Sequence, residues 1–284
     1  MDSAQKAILI TGCSSGIGLC VAKGLQQRGY RVFATVRNAE DVKRLQTEEQ
    51  LEALQLDLDN SDSIQNTVNE VLQRCNGKLF ALFNNGAYGQ PGAIEDLSRE
   101  TLRAQLETNL LGWLELTNLI IPQMRHHGEG RIIQNSSVLG FVAMPYRGAY
   151  NISKYALEGL TDTLRLELHG SGIQVSLIEP GPIESRFRHN AQLAFLKYID
   201  APNSPHADNY HSMLKRLNKP GPAAPFTLPP EAVLKRVIHA LESRRPKIRY
   251  PVTVPTYLFA CLKRISSARF LDRILKRASG NGKN

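Results

Sequence analysis

The apolar, β-branched run Ala7-Ile8-Leu9-Ile10-Thr11 passes directly into Gly12-Cys13-Ser14-Ser15-Gly16-Ile17-Gly18, and a helical pattern from Leu19 to Arg28, closed by Gly29, follows. Strand, glycine turn and helix in that order restrict the fold more than any other part of the chain. Glycines let backbone N–H groups approach a phosphate, which then sits at the positive end of the helix. The spacing is Gly-x-x-x-Gly-x-Gly rather than Gly-x-Gly-x-x-Gly, and a glycine loop standing alone could be only a tight turn. Its place after the first strand favours a dinucleotide site, with Gly12, Ser14, Ser15, Gly16, Ile17 and Gly18 as expected contacts.

Strand and helix patterns then alternate. This predicts a doubly wound α/β domain, a Rossmann fold with a single, mostly parallel sheet of about seven strands and helices on both faces. Arg31 to Val36 reads as the second strand. A site for a ribose 2′-hydroxyl ends this strand with Asp or Glu, whereas here Arg37 follows it. A guanidinium suits a 2′-phosphate, so NADP(H) is the expected cofactor, with Ser14 as a second donor. The alternative is an exposed Arg opening a loop. Glu52 to Asp57 reads as the third strand, its carboxylate placed to accept from an adenine amino group with Leu58 beside the ring. Capping the next helix, Ser61 to Cys75, is the other use of Asp57, although Ser61 could do that. Leu79 to Phe83 is the fourth strand, and Asn85-Gly86 beyond it allows close approach to the cofactor or makes an ordinary turn.

The segment from Ser98 to Met124 reads as one long helix with Asn109 in its middle, where Asn has poor propensity. A buried Asn there satisfies backbone or water, or serves catalysis. Trp113, Leu114, Leu116 and Leu119 read as core or subunit contact. Arg131 to Gln134 is a buried strand, and Ser137 lies just past it. In the helix pattern from Tyr150 to Leu168, Tyr150 and Lys154 share one face. A phenol beside an ammonium is expected to have a lowered pKa and to exchange its proton nearer neutrality. With the Ser137 hydroxyl alongside, the three groups suit a carbonyl carbon that gains or loses a hydride. A Tyr–Lys pair at this spacing is also common on surfaces, so the surrounding motifs decide. Phe141, Val142, Ala143, Met144 and Tyr146 suggest an apolar pocket wall or core packing.

Ile173 to Ile178 is the sixth strand, ending in Glu179-Pro180-Gly181-Pro182. Residues 183–230 are expected to be irregular, with two polar helical stretches and a proline-rich tract from Pro220 to Pro230, and to act as a substrate lid. Pro230 to Ser243 is a helix and Lys247 to Tyr250 a last strand. The expected division is a domain over 1–250, lid included, and a tail over 251–284. From Lys263 onward seven basic residues face only Asp272, which takes most of the net charge of +9 and leaves the body near neutral. Nucleic acid is therefore not the expected partner. The amphipathic tail, Tyr257 to Ala278, would pack on the body or another subunit, with contact to an anionic membrane as the less common outcome. Cys13, Cys20, Cys75 and Cys261 show no metal or redox spacing and read as reduced thiols. Histidines 189, 206, 211 and 239 read as solvated, and no metal site is expected. The start of the chain, Met1 to Lys6, lacks a signal-peptide pattern, which with reduced thiols leads to a cytoplasmic expectation.

Taken together, Thr11-Gly12-(x)3-Gly16-Ile17-Gly18, Asp57, Asn85-Gly86, Asn109, Ser137, Tyr150-(x)3-Lys154 and Pro180-Gly181 resemble the short-chain dehydrogenase/reductase family over roughly the first 250 positions. The resemblance implies a catalytic tetrad of Asn109, Ser137, Tyr150 and Lys154. In it Tyr150 is the acid or base, Ser137 holds the substrate oxygen, Lys154 binds the nicotinamide ribose, and Asn109 holds a relay water. It adds Pro180, Gly181 and Ile183 to the cofactor contacts and implies a homodimer or homotetramer. The runs Ala34-Thr35-Val36-Arg37 and Val175 to Pro182 are similar to the 17β-hydroxysteroid and retinol dehydrogenase-like branch, which implies NADP(H) and a small apolar ketone, aldehyde or alcohol. One departure is Asn85-Gly86-Ala87 where the family has Asn-Ala-Gly, which bears on the loop shape. The rival reading is a non-catalytic NADPH-binding sensor on the same fold.

Overall fold

Alternate residues of the first strand enter different cores, Ile8 and Ile10 one, Ala7 and Leu9 the other. A strand apolar on both faces needs helices on both. The computed structural model, which describes residues 5–218, 221–222 and 224–279, has this arrangement. Pro220, Lys283 and the residues Met1 to Ala4 lie outside the described part.

Strand β1 (Ala7–Ile10) leads through α1 (Gly16–Gln27), β2 (Arg31–Val36), α2 (Ala39–Thr47), β3 (Glu52–Gln55) and α3 (Ser61–Arg74) to β4 (Leu79–Asn84). Next come α4 (Arg99–Leu106), a π-helical turn over Glu107–Leu111, and α5 (Gly112–His127). Strand β5 (Gly130–Asn135), a short 3-10 turn (Val138–Gly140), α6 (Gly148–Glu167) and β6 (Ile173–Glu179) follow. The chain continues through α7 (Phe187–Tyr198), α8 (Ala207–Asn218), α9 (Glu231–Glu242), β7 (Arg249–Pro251), α10 (Val254–Ile265) and α11 (Ala268–Ala278). The strands lie in the order β3-β2-β1-β4-β5-β6-β7, and every pairing between them is parallel. Helices α1, α2 and α9 cover one face, while α3, α5 and α6 cover the other. The order reverses between β1 and β4, and the crevice beyond their C-terminal ends is where such sheets bind ligands.

Several expectations are corrected. Asn60, not Ser61 or Asp57, caps α3: its Oδ1 accepts from Ser63 N at 2.9 Å. The long helix is interrupted by the π-turn that contains Asn109. The two helical stretches expected within residues 183–230 are α7 and α8. Two of the four histidines have partners. His206 lies against Glu95 and Tyr146, and His239 Nδ1 is 2.8 Å from Tyr250 Oη. The tail forms two helices, α10 and α11. Their Phe259, Leu262, Leu271, Ile274 and Leu275 pack on Val138, Leu139, Phe141, Val142, Met144 and Tyr150. Part of its apolar surface is thus taken up by the body, while Leu258, Ile265 and Phe270 stay exposed. Among the described residues no helix is long and apolar enough to cross a membrane.

Candidate active site

The crevice at the strand reversal is built from backbone packed on backbone. Gly12 has φ +71°, and a Cβ there would lie 2.5 Å from Gly86 Cα, so the two loops approach this closely only because Gly12 has no side chain. The hydroxyl of Thr11 accepts from the N–H groups of both Asn85 and Gly86 at 2.8 Å. Asn85 Nδ2 donates to the carbonyls of Thr11 and Gly12 at 3.0 and 3.2 Å. These bonds hold the first turn against the end of β4, where a Cβ on Gly86 would stand 3.2 Å from both Gly12 N and Leu58 Cδ1. Ser15 is the N-cap of α1 yet makes no side-chain cap bond, and no acid occupies the first turn. The helix start therefore keeps its positive character toward the crevice. Ile17 packs against the core behind it, and Ser14 presents its carbonyl to Arg44 at 2.7 Å.

On the far side of the crevice, Ser137 caps the 3-10 turn, its Oγ accepting from Leu139 N at 3.1 Å. Tyr150 and Lys154 stand one turn apart on α6. Lys154 is 1% exposed and donates to the carbonyl of Asn135 at 2.7 Å. The face of Trp113 lies 4.4 Å from its ammonium, a favourable cation–π distance. Burial pushes Lys154 down to about 7, opposed by the charge of Glu158. The expected lowering of the Tyr150 pKa is overturned: burial pushes the phenol up to about 12, and the Ser137 hydroxyl against it offsets only part of the rise. The lysine does not offset this: its ammonium lies 5.7 Å from the centre of the Tyr150 ring and donates to Asn135 instead, so desolvation of the phenol dominates.

Asn109 is fully buried in the π-turn, as π-turns at functional sites tend to be placed. Its side chain donates to Tyr88 O at 2.8 Å and to Ser153 Oγ at 3.2 Å, and accepts from Tyr88 N at 3.1 Å. It thus ties the loop after β4 to α6, at the residue preceding Lys154. Pro180 accepts from Val138 N at 2.8 Å, which joins the turn after β6 to the Ser137 turn. Gly181 lies against Thr253, where a Cβ would stand 2.1 Å from Oγ1, and Ile183 bridges to Leu228. Arg37 is exposed past β2. Asp57 accepts from Asp59 N at 3.1 Å, and Leu58 is buried, with its Cδ1 3.2 Å from where a Cβ on Gly86 would stand. The crevice therefore joins the Gly12–Gly18 turn, Asn85, Gly86, Asn109, Ser137, Tyr150, Lys154, Pro180 and Gly181, with Arg37, Asp57 and Leu58 toward the β2–β3 edge.

A family profile described as short chain dehydrogenase matches residues 6–194. The chain belongs to the short-chain dehydrogenase family. This short-chain dehydrogenase is 43% identical over 272 residues to the uncharacterized oxidoreductase YbbO of Escherichia coli (strain K12), covering 96% of this chain and 94% of that one. It is 33% identical over 267 residues to retinol dehydrogenase 16 of Mus musculus, covering 90% and 83% of the two chains. Among solved structures, a variant of actinorhodin polyketide ketoreductase with NADPH matches with a TM-score of 0.72 and 27% identity, over 87% of this chain and 95% of that one.

The short-chain dehydrogenase also uses residues that the sequence did not single out for the site. Asn135 spans it, accepting from Lys154 through its carbonyl and donating through Nδ2 to Asn85 Oδ1 at 2.8 Å. Its place at the end of β5, before the paired serines, was the available signal. Trp113, read as core or subunit contact, is core, but its indole N–H also donates to Gly86 O at 2.8 Å. Phe187, at the start of α7, sets its ring edge-on to Tyr150 at 5.3 Å and reaches Gly89. Nothing local in the sequence marks it. A cavity of about 480 Å³ beside the turn after β5 is lined by Ala143, Met144 and Tyr146, as expected, and by Leu275 of α11. Phe141 and Val142 pack instead against α10 and α11. Helix α6 turns Gly148, Asn151 and Ile152 to this cavity, the side away from Tyr150 on the helical period. The cavity is therefore adjacent to the candidate site and not over the phenol.

The site suits a nicotinamide dinucleotide. The glycine turn leaves no room for side chains, the start of α1 carries no acid, and Asn85 and the buried Lys154 close the opposite wall.

Proposed function

We propose that this oxidoreductase is NADP(H)-dependent and reduces a ketone or aldehyde on an apolar molecule, the reaction being reversible. The observation that carries the reading is that Tyr150 packs against the turn that begins at Ser137, with buried Lys154 one turn along α6, at the strand reversal. When bound, NADPH supplies the hydride. Ser137 orients the substrate oxygen, and Tyr150 gives its proton to that oxygen as charge develops there. A phenol held near 12 keeps its proton at neutral pH, as a donor for reduction must. Lys154 takes the ribose hydroxyls and, through its charge, favours the phenolate left behind. Asn109 holds the relay water through its backbone, since its side chain is committed to Tyr88 and Ser153.

For the cofactor, the glycine turn takes the pyrophosphate and Asp57 and Leu58 the adenine. Arg37 and Ser14 take the 2′-phosphate, while Asn85, Gly86, Pro180, Gly181 and Ile183 line the path to the nicotinamide. Support for NADP(H) over NAD is the lack of an acid after β2 and the likeness to a ketoreductase whose structure holds NADPH. Support for an apolar substrate is Phe187 beside Tyr150 and the relative that is a retinol dehydrogenase. Helices α7 and α8 act as the lid. Leu111, Ile152, Tyr155 and Leu166 stand exposed on the π-turn and α6, and pairing through that surface makes the protein a homodimer or homotetramer.

NADPH consumption against a panel of long-chain aldehydes, retinal and keto-steroids tests the reading. Tyr150→Phe is expected to keep NADPH affinity, measured by cofactor fluorescence, and to lose turnover by a factor of about 10³. Substantial turnover in this variant refutes the assignment.

A further inference from the structure

Lys154, Glu158 and Asp162 follow one another at four-residue spacing along one stripe of α6. The middle member is given no role by the reaction above, yet it is buried, at 9% exposure, as is Glu179 at the end of β6, at 3%. Buried carboxylates persist only with partners. Both share one guanidinium. Arg249 of β7 reaches Glu158 Oε2 with Nε and Nη2 at 3.3 and 3.2 Å, Glu179 Oε1 at 3.2 Å, and Asp162 Oδ2 at 2.7 Å.

The contacts of Lys154 described above, the Asn135 carbonyl and the Trp113 ring, are uncharged. One turn further along the same face of α6 stands the Glu158 carboxylate, whose charge acts to raise the lysine pKa. The other oxygen of that carboxylate, Oε1, is buried without a well-formed hydrogen bond. It faces the segment that carries Ser137: a Cβ on Gly140 would lie 3.0 Å from it and 2.6 Å from Ser136 Oγ. Burial pushes the Glu158 carboxyl up, opposed by the Ser136 hydroxyl and by Arg249. One oxygen is thus clamped by Arg249, and the carboxylate lies beneath the 3-10 turn between the two hydroxyl-bearing parts of the site.

We propose that Glu158, clamped by Arg249, is the positioning residue of this site, keeping Lys154 charged and the Ser137 turn in register with Tyr150. The inference rests on the reductase reading for its kinetic consequence, but the pairing itself does not. The groups that face Glu158 are Lys154 and Asp162 from α6, Arg249 from β7, Glu179 from β6 and Ser136 beyond β5. Burial drives Lys154 down to about 7 and Glu179 up to about 7, the latter with the Glu158 charge adding to the rise and Arg249 opposing it. The loss of one negative charge here therefore falls on a lysine already at the edge of deprotonation.

The test uses the full chain, ligand-free, with 13C-labelled lysine, and follows the Lys154 ε-methylene resonance against pH, assigned by its absence in Lys154→Met. Glu158→Gln keeps the shape and removes the charge. It is expected to lower the Lys154 midpoint by about one unit or more and to move the alkaline limb of the kcat profile down with it. Glu158→Asp is expected to restore part of the shift. Asp162→Asn, which removes the closer partner of Arg249, is expected to cost stability with a smaller shift than Glu158→Gln. An unmoved midpoint in Glu158→Gln, or an equal movement in Asp162→Asn, overturns the proposal. If the wild-type protein reduces no carbonyl with NADPH, the reductase reading fails while the resonance still decides whether Glu158 sets the charge of Lys154.

Discussion

Arg37 stands just past β2, where a carboxylate would accept from a ribose 2′-hydroxyl and repel a 2′-phosphate. A charge-assisted contact of this kind is worth about 1.5–3 kcal/mol. Arg37→Asp is therefore expected to cut kcat/KM with NADPH roughly ten- to hundredfold relative to NADH, read by comparing the two cofactors at fixed substrate. An unchanged ratio would remove the guanidinium from cofactor choice. At this scale the sequence was a good guide to identity and a poor guide to surroundings. The glycines, Asn85, Ser137, Tyr150 and Lys154 could be gathered to one crevice because they occur together at successive strand ends and one helix turn, although each alone has ordinary structural uses. The raised pKa of Tyr150 was not legible. It depends on how completely Ser137, Phe187 and α6 enclose the phenol, and enclosure is assembled from distant segments.

Helices α10 and α11 are the element whose role changed most on folding. Their alternation of apolar and basic residues left packing on the body, on another subunit or on a membrane open, and Phe259, Leu262, Leu271, Ile274 and Leu275 lie against the segment from Val138 to Met144 that follows Ser137. Leu275 is the buried member of α11, at 6% exposure. Leu275→Ala is expected to cost about 2 kcal/mol and to lower Tm by roughly 4–8 °C, with kcat reduced because the turn carrying Ser137 loses its support. A normal kcat at unchanged Tm would show that the tail only rests on the body. The strands and most helices were readable from period and turn residues. The π-turn at Glu107–Leu111 was not, since its sequence, Glu-Thr-Asn-Leu-Leu, suits an ordinary helix. What opens it is the clasp of Asn109 on Tyr88, a contact between segments twenty-one residues apart. Asn60 was missed as a cap for a smaller reason: Asp57, Asn60 and Ser61 are all competent, and only chain direction selects one.

For the molecule as a whole, the site is a store of electrostatic cost that stability should report. Lys154 falls from its ordinary value of 10.5 to about 7 in the folded protein, so between those two values the unfolded chain binds the proton and the folded one does not. Stability from this group therefore rises with pH across that window, and below 7 the full cost of the buried charge is present. Glu179 rises from 4.5 to about 7, so its contribution falls as pH climbs through that interval. Urea titrations of the ligand-free protein are expected to show a shallow minimum near neutrality, and Lys154→Met to flatten the alkaline rise. A profile identical to wild type would mean that the lysine is solvated in solution. The doubly wound sheet itself was foreseen almost strand for strand, because local period sets it. The Arg249 cluster was not, because it joins residues ninety-one positions apart along the chain. That separation has a temporal side. Arg249 and Leu275 leave the ribosome long after Ser137, Tyr150 and Lys154, so a nascent chain holds its reactive groups well before the parts that brace them, and acquires competence only once those later residues have emerged and docked.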